Sequence, residues 1–141
     1  MVEFYDTSAL MTDTNKITSD IIISEVSVQE LENFVWTGNE EAACRARDAL
    51  YRIKTFEPTV ILLEDAIKWY QLYMGTDEAV YDLDRLINRD FLSVILTAFY
   101  VKNIYEDPNF IFHTDSYLSF VNAKSLYFDL PVENKNRGEK S

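Results

Sequence analysis

Cysteine is nearly missing from this chain: among 141 residues only Cys44 is present. That excludes an internal disulfide and any cysteine-built metal cluster. With Ala42, Ala43 and Ala46 beside it, Cys44 reads as a small buried helix residue. No stretch reaches the roughly 18 apolar residues that a spanning helix requires. The N-terminus has no basic segment leading into an apolar one, so nothing in it suggests secretion. A soluble cytoplasmic protein is expected. Positive charge is also scarce, with 13 Lys and Arg against 24 Asp and Glu and a net charge of −11. Such a surface repels nucleic-acid phosphates. Two routes around that repulsion exist: a bound divalent cation that reverses the local sign, or a ligand that is itself a basic partner. Histidine is reduced to His113, which is either a base near pH 7 or a hydrogen-bonded structural residue.

Apolar residues are plentiful, at 48% with 14% aromatic. They suffice for one domain with a proper core. The sequence opens with Glu3-Phe4-Tyr5 as a short strand, ended by Asp6, with Thr7, Ser8, Ala9 and Leu10 starting a helical turn. Asp6 at that position is either an N-cap or an acid at the lip of a sheet. Thr12 to Asp20 reads as a helix end and loop. Ile21-Ile22-Ile23 is a continuous β-branched run, the pattern of a strand covered on both faces in a parallel sheet. Ser27-Val28-Gln29-Glu30 reads as a capping box opening a helix that runs to Trp36 and stops at Gly38.

A second helix is expected over Glu40 to Thr55, with Ala43, Ala46, Leu50 and Ile53 at helical spacing. Its Arg45, Arg47, Arg52 and Lys54 form either an RNA- or partner-contacting stripe or ordinary helix surface. Thr59 to Leu62 is a short extended piece before a helix from Glu64 to Met74. Asp77, Glu78, Asp82 and Asp84 read as a solvated acidic face. From Asp90 to about Asn103 the chain is apolar nearly all round, which marks a buried central helix. Phe110-Ile111-Phe112 is a further strand, leading through His113 and Thr114 to Asp115. A short helix follows with Tyr117, Leu118 and Val121, then a strand at Leu126-Tyr127-Phe128. Strands separated by helices predict an α/β domain over 1–132, a small parallel β-sheet of about four strands flanked by helices. Residues 133–141 are expected to be a disordered polar tail. The aromatics, Trp36 and Trp69 among them, are assigned to core or interface, and a homodimer is a possible outcome.

Four acids stand out by position: Asp6 and Asp115 after strands, Glu30 in an early helical turn, and Asp90 opening the central helix. In a parallel sheet these places share one edge, so the four carboxylates can converge there. Each also has a plainer reading: Glu30 as half of the capping box, Asp90 as a helix-dipole partner, Asp115 as an N-cap. Like charges gathered in a cleft must bind a cation or hold protons. Carboxylates without His or Cys ligands favour Mg²⁺ or Mn²⁺, and such ions support phosphodiester cleavage by an activated water.

At this point the residues resemble a known family, the PIN-domain ribonucleases, which include toxins of toxin–antitoxin pairs. FYDTSALM at 4–11 is similar to the family's opening motif, and ISEVSVQEL at 23–31 to its second, with Glu30 as the acid. TVILLEDAIKWYQLY at 59–73 resembles the family's short hydrophobic piece leading into a helix. RDFLSVILTA at 89–98 resembles the third motif, and FIFHTDSYLSF at 110–120 the last. In that last motif His113 and Thr114 stand where the family usually has Thr or Ser and then Asn or Asp. The resemblance implies a PIN-like three-layer α/β/α fold and a metal-dependent endoribonuclease with RNA as substrate. Asp6, Glu30, Asp90 and Asp115 would be the catalytic, Mg²⁺- or Mn²⁺-binding acids, with Ser8 supporting Asp6. An antitoxin-like or other basic protein partner is compatible with it. The alternative is a PIN-like fold without catalysis, used as an interaction module for a protein partner.

Overall fold

In the computed structural model, residues 1–74, 83–125 and 128–134 are described. The strands are β1 (Glu3–Tyr5), β2 (Ile22–Ser24), β3 (Thr59–Ile61), β4 (Ile111–Thr114) and β5 (Val132–Asn134). The helices are α1 (Thr7–Thr12), α2 (Glu25–Thr37), α3 (Glu40–Phe56), α4 (Leu63–Met74), α5 (Asp90–Tyr105) and α6 (Tyr117–Ala123), with a 3₁₀ turn at Thr14–Lys16 and helical residues at 83–87. The sheet is five-stranded in the order β3-β2-β1-β4-β5, and every pairing is parallel. The expected α/β architecture with a flanked parallel sheet is what forms.

Strand alternation distributes the core. Phe4, Ile22 and Phe112 face α4, α5 and α6 through Ala66, Tyr70, Val94, Ile95 and Ala123. Tyr5, Ile21 and Ile23 face α1, α2 and α3 through Leu10, Leu31, Ala46 and Ala49. The Ile21–Ile23 run is therefore buried on both sides, as its β-branched continuity requires. Helix α5 is buried around most of its girth, from Ser93 to Ala98 and at Val101.

Several details differ from the sequence reading. The last strand, Val132–Asn134, takes in Glu133 and Asn134, the first two residues of the expected polar tail. Phe128 sits in a turn, while Leu126 and Tyr127, like Asp77, Glu78, Asp82 and residues 135–141, lie outside the described residues. Cys44 is exposed, because the buried stripe of α3 runs through Ala43, Ala46 and Ala49 and the next residue turns about 100° away. The capping box does not form. Ser24 leaves β2 in extended conformation and its hydroxyl accepts from Val26 N, so α2 starts directly from the strand and Ser27 falls inside its first turn. Gly38 ends α2, where a Cβ would stand 2.7 Å from the Phe34 carbonyl oxygen. Trp36 is 86% exposed, whereas Trp69 packs against Tyr73, Phe99 and Tyr100. Among the described residues no helix is long and apolar enough to cross a membrane.

One core feature yields a stability prediction. The Tyr70 hydroxyl is fully buried without a hydrogen-bond partner among the described residues. Leaving such a group unmet is unfavourable by about 1–3 kcal/mol. Tyr70→Phe is therefore expected to raise the urea midpoint with no change in m-value, and an unchanged or lower midpoint would show that the hydroxyl finds a partner in solution.

Candidate functional site

The strand order positions the site. The chain runs outward from β1 through β2 to β3, then returns to place β4 on the other flank of β1. The direction of winding thus reverses between β1 and β4, and the crevice at the C-terminal ends of those strands is where open α/β sheets bind ligands. Asp6 follows β1 and Asp115 follows β4. Tyr5, the last residue of β1, pairs in register with His113, and Thr114 then ends β4 at the crevice.

Asp6 is 4% exposed. It caps α1 through a bond from Ala9 N to Oδ1 at 2.9 Å, so the N-cap reading is correct as far as the backbone goes. The same Oδ1 accepts from Ser8 Oγ at 2.7 Å, and Oδ2 accepts from Thr114 Oγ1 at 2.5 Å. Burial pushes the Asp6 carboxyl above the usual carboxylate range; the three donors oppose the shift and the charge of Asp115 adds to it. Ser8 also accepts from Asp115 N at 2.8 Å. One serine thereby ties the end of β1 to the turn after β4.

Glu30 does not reach back to a cap. Its Oε1 accepts from Thr7 Oγ1 at 2.6 Å, while Thr7 Oγ1 also lies 2.9 Å from Ser27 Oγ. The Thr7 proton serves one acceptor at a time, and the carboxylate makes the stronger bond. Burial raises the Glu30 pKa; the Thr7 hydroxyl opposes this, and the charges of Asp90 and Asp6 add to it. Asp90 opens α5 as expected, exposed at the first turn. Asp115 is not the cap of α6. Ser116 fills that role by accepting from Ser119 N, and Asp115 Oδ2 accepts from Thr12 Oγ1 at 2.7 Å.

The four acids are linked in sequence, Asp115 acting on Asp6, Asp6 on Glu30 and Asp90 on Glu30. They do not all line one hollow. Asp6 and Glu30 share a cavity of about 210 Å³ with Thr7, Ser8, Met11, Phe34, Phe91, Val94, Ser116 and Ser119. Asp115 borders a neighbouring cavity of about 310 Å³ together with Glu3, Tyr5, Asp13, Lys16, His113 and Glu133. Asp90 stands at the surface beside Glu30. Among the described residues no three acids, histidines or cysteines are drawn together into a cage that would hold a metal ion. The donors present are nonetheless all oxygen, which suits Mg²⁺ or Mn²⁺. Two of the carboxylates carry raised pKa values that a cation would relieve.

No family model matches the chain, and comparison with curated proteins finds no match.

His113 belongs to the second cavity. Its Nε2 lies 3.1 Å from Glu3 Oε1, and its ring stacks on Tyr5 at 4.2 Å. Burial, followed by the charges of Glu3, Glu133 and Asp13, pushes the Tyr5 phenol up to about 12. The phenol therefore stays neutral at physiological pH. Of the basic stripe on α3, Arg45 pairs with Glu41 at 2.9 Å and Arg52 lies over the Phe56 ring at 4.6 Å.

Thr114 is the functional-site residue that sequence reasoning passed over, apart from noting that it departs from the family pattern. Its signal was modest: a hydroxyl at the end of a buried run, one position before an acid. Thr7 and Ser27 were equally visible as hydroxyls, but nothing local revealed that Thr7 would meet Glu30. Met11, Phe34 and Phe91, on three different helices, give no local sign that they would line one cavity.

Proposed function

We propose that the chain is a cytoplasmic, metal-dependent endoribonuclease of the PIN type, with Asp6, Glu30, Asp90 and Asp115 as the metal-holding acids. The observation that carries this reading is Asp6 itself: a buried carboxylate at the β1/β4 crevice, with a raised pKa and a second acid sharing its cavity. A carboxylate in a cleft whose pKa is shifted by desolvation and a like charge is a functional-site candidate. Bound there, Mg²⁺ or Mn²⁺ would supply Lewis-acid charge and lower the pKa of a water. The chain's own residues supply orientation. Ser8 and Thr114 fix both oxygens of Asp6, and Thr7 fixes Glu30. The decisive experiment is cleavage of single-stranded RNA with Mn²⁺, with EDTA, and in Asp90→Asn. Expected are cleavage, its loss with chelator and its loss in the variant; cleavage that survives EDTA would overturn the metal assignment.

Thr114→Val tests the orientation. It removes the hydroxyl that lowers the Asp6 pKa, so that pKa rises further and the acid limb of the pH–rate profile moves to higher pH. A loss of about 10- to 100-fold in kcat is expected, as for other outer-shell partners. An unmoved pH profile would remove Thr114 from the site.

A second reading is favoured by the fact that both Asp6 oxygens already accept bonds from the protein. In it the domain is a non-catalytic interaction module whose charge of −11 attracts a basic protein partner, an antitoxin-like protein among the possibilities. It predicts no Mn²⁺ binding by calorimetry and no cleavage of any RNA.

A further inference from the structure

We propose that the cavity beside Asp6 is a nucleobase site, in which Phe34 and Phe91 flank an unpaired base and the Ser119 hydroxyl reads its edge. The proposal rests on the ribonuclease reading and supplies what that reading leaves open, namely which part of the RNA the protein grips. Asp6 and Glu30 occupy one part of the cavity of about 210 Å³, and Met11, Phe34, Phe91 and Val94 supply an apolar wall. The apolar wall suits the flat neutral ring of a nucleotide, and the acids beside it can meet its phosphodiester only through the cation of the ribonuclease reading.

Phe34 on α2 and Phe91 on α5 are only partly buried. Among the described residues neither ring stacks on another aromatic, unlike Trp69, Tyr73 and Phe99, which cluster between α4 and α5. Ser119 is the second observation. It is 4% exposed and lines the same cavity. Its backbone N–H donates to Ser116 Oγ, but its hydroxyl has no partner among the described residues. That oxygen is not sealed from solvent, so it is open to bond a group that enters the cavity. A hydroxyl both donates and accepts, which suits the edge of a base.

Charge narrows the choice of occupant. None of the described residues lining this cavity is basic, in a chain with 24 acids and 13 bases. Phosphate contacts from Lys and Arg, the usual source of RNA affinity and of its steep salt dependence, are not available there. Stacking needs no charge, and one base on an aromatic ring contributes about 1–3 kcal/mol to affinity, or about 5- to 150-fold. Binding to single strands should therefore change little with salt and should fail for duplex, whose bases are already stacked.

The test is an abasic scan. Labelled single-stranded oligoribonucleotides, intact or with one base removed at successive positions, are titrated against the protein with Ca²⁺ in place of Mg²⁺, and affinity is read by anisotropy. Expected is a loss of about 5- to 150-fold at one position only. Phe34→Leu and Phe91→Leu should each weaken binding of the intact strand and shrink that abasic penalty. Ser119→Ala should change the ranking of the four bases at that position. If either Phe variant fails to fold, the scan on the native protein decides by itself. Equal affinity for intact and abasic strands by a protein that still cleaves RNA with Mn²⁺ overturns the base site and leaves the nuclease reading standing. A protein that neither binds nor cleaves RNA overturns both.

Discussion

Asp6→Asn is expected to reduce metal-dependent RNA cleavage by more than the about 10- to 100-fold typical of outer-shell partners, while letting the metal-free protein gain stability on the native one as pH rises. Both effects have one origin. The Asp6 carboxyl has its pKa raised in the folded state by burial, despite the hydroxyls of Thr114 and Ser8 and the N–H of Ala9. A raised carboxylate pKa means that the folded chain holds more protons than the unfolded chain between the two values. Stability is then fully present below the unfolded pKa and is lost as pH rises through the folded one. Glu30 contributes in the same direction, with burial again the first cause. As pH rises through the folded pKa the native protein takes on buried charge that asparagine never carries.

The replacement fits locally. The Asn Oδ1 can still accept from Ser8 and Ala9 N, and its amide can donate to Thr114 Oγ1, which already accepts from Ser116 N at 3.0 Å. The measurement is a pair of melting curves from pH 4 to pH 8 without metal. The variant should gain on the native protein as pH rises, by about 4 °C for each kcal/mol. Mn²⁺ should then raise the melting point of the native protein in proportion to the logarithm of its concentration, and leave the variant unmoved. Wild-type cleavage by D6N would remove Asp6 from the mechanism, and equal Mn²⁺ stabilisation of the two would remove it from the metal.

Phe112→Ala is expected to produce the largest loss of stability, about 3–5 kcal/mol. Phe112 is fully buried, pairs with Phe4 across β1 and β4, and stacks on its ring at 5.8 Å. Against the about 5–15 kcal/mol that holds a typical domain together, such a cavity lowers the melting point by about 12–20 °C. Phe112→Leu should lose less because it leaves a smaller void. The functional consequence follows from position: Thr114 and the turn holding Asp115 continue the same strand. Urea unfolding read by CD beside RNA cleavage distinguishes the two roles. Loss of cleavage that tracks loss of fold is expected, and a stable Phe112→Ala protein would show that the β1/β4 pairing is not what holds the crevice.

The kinds of elements were legible from local pattern. The β-branched run of Ile21–Ile23 and the all-round apolar stretch after Asp90 each carry their answer in a few neighbouring residues, because burial on both faces leaves no room for polar alternation. Asp6 was legible for the same reason, as an acid that ends a strand. Boundaries and contacts were less so. Ser24 and Ser27 are both plausible caps on paper, and only the exit of the chain from β2 selects Ser24. That offset turns Glu30 away from a cap and towards Thr7. Glu133 and Asn134 look like tail in sequence and join a strand because β4 offers an edge.

By itself, then, the sequence determined an α/β chain with a short supply of positive charge and acids at the ends of its strands and the starts of its helices. Tertiary structure alone decided that Thr114 would hold an aspartate 108 residues away, that Asp115 would border a different cavity from Glu30, and that Phe34 and Phe91 would line one cavity with Asp6 and Glu30. The physical reason is range. Periodicity and capping act over a few residues along the chain, whereas strand order and side-chain direction are set by which surfaces the whole core must cover.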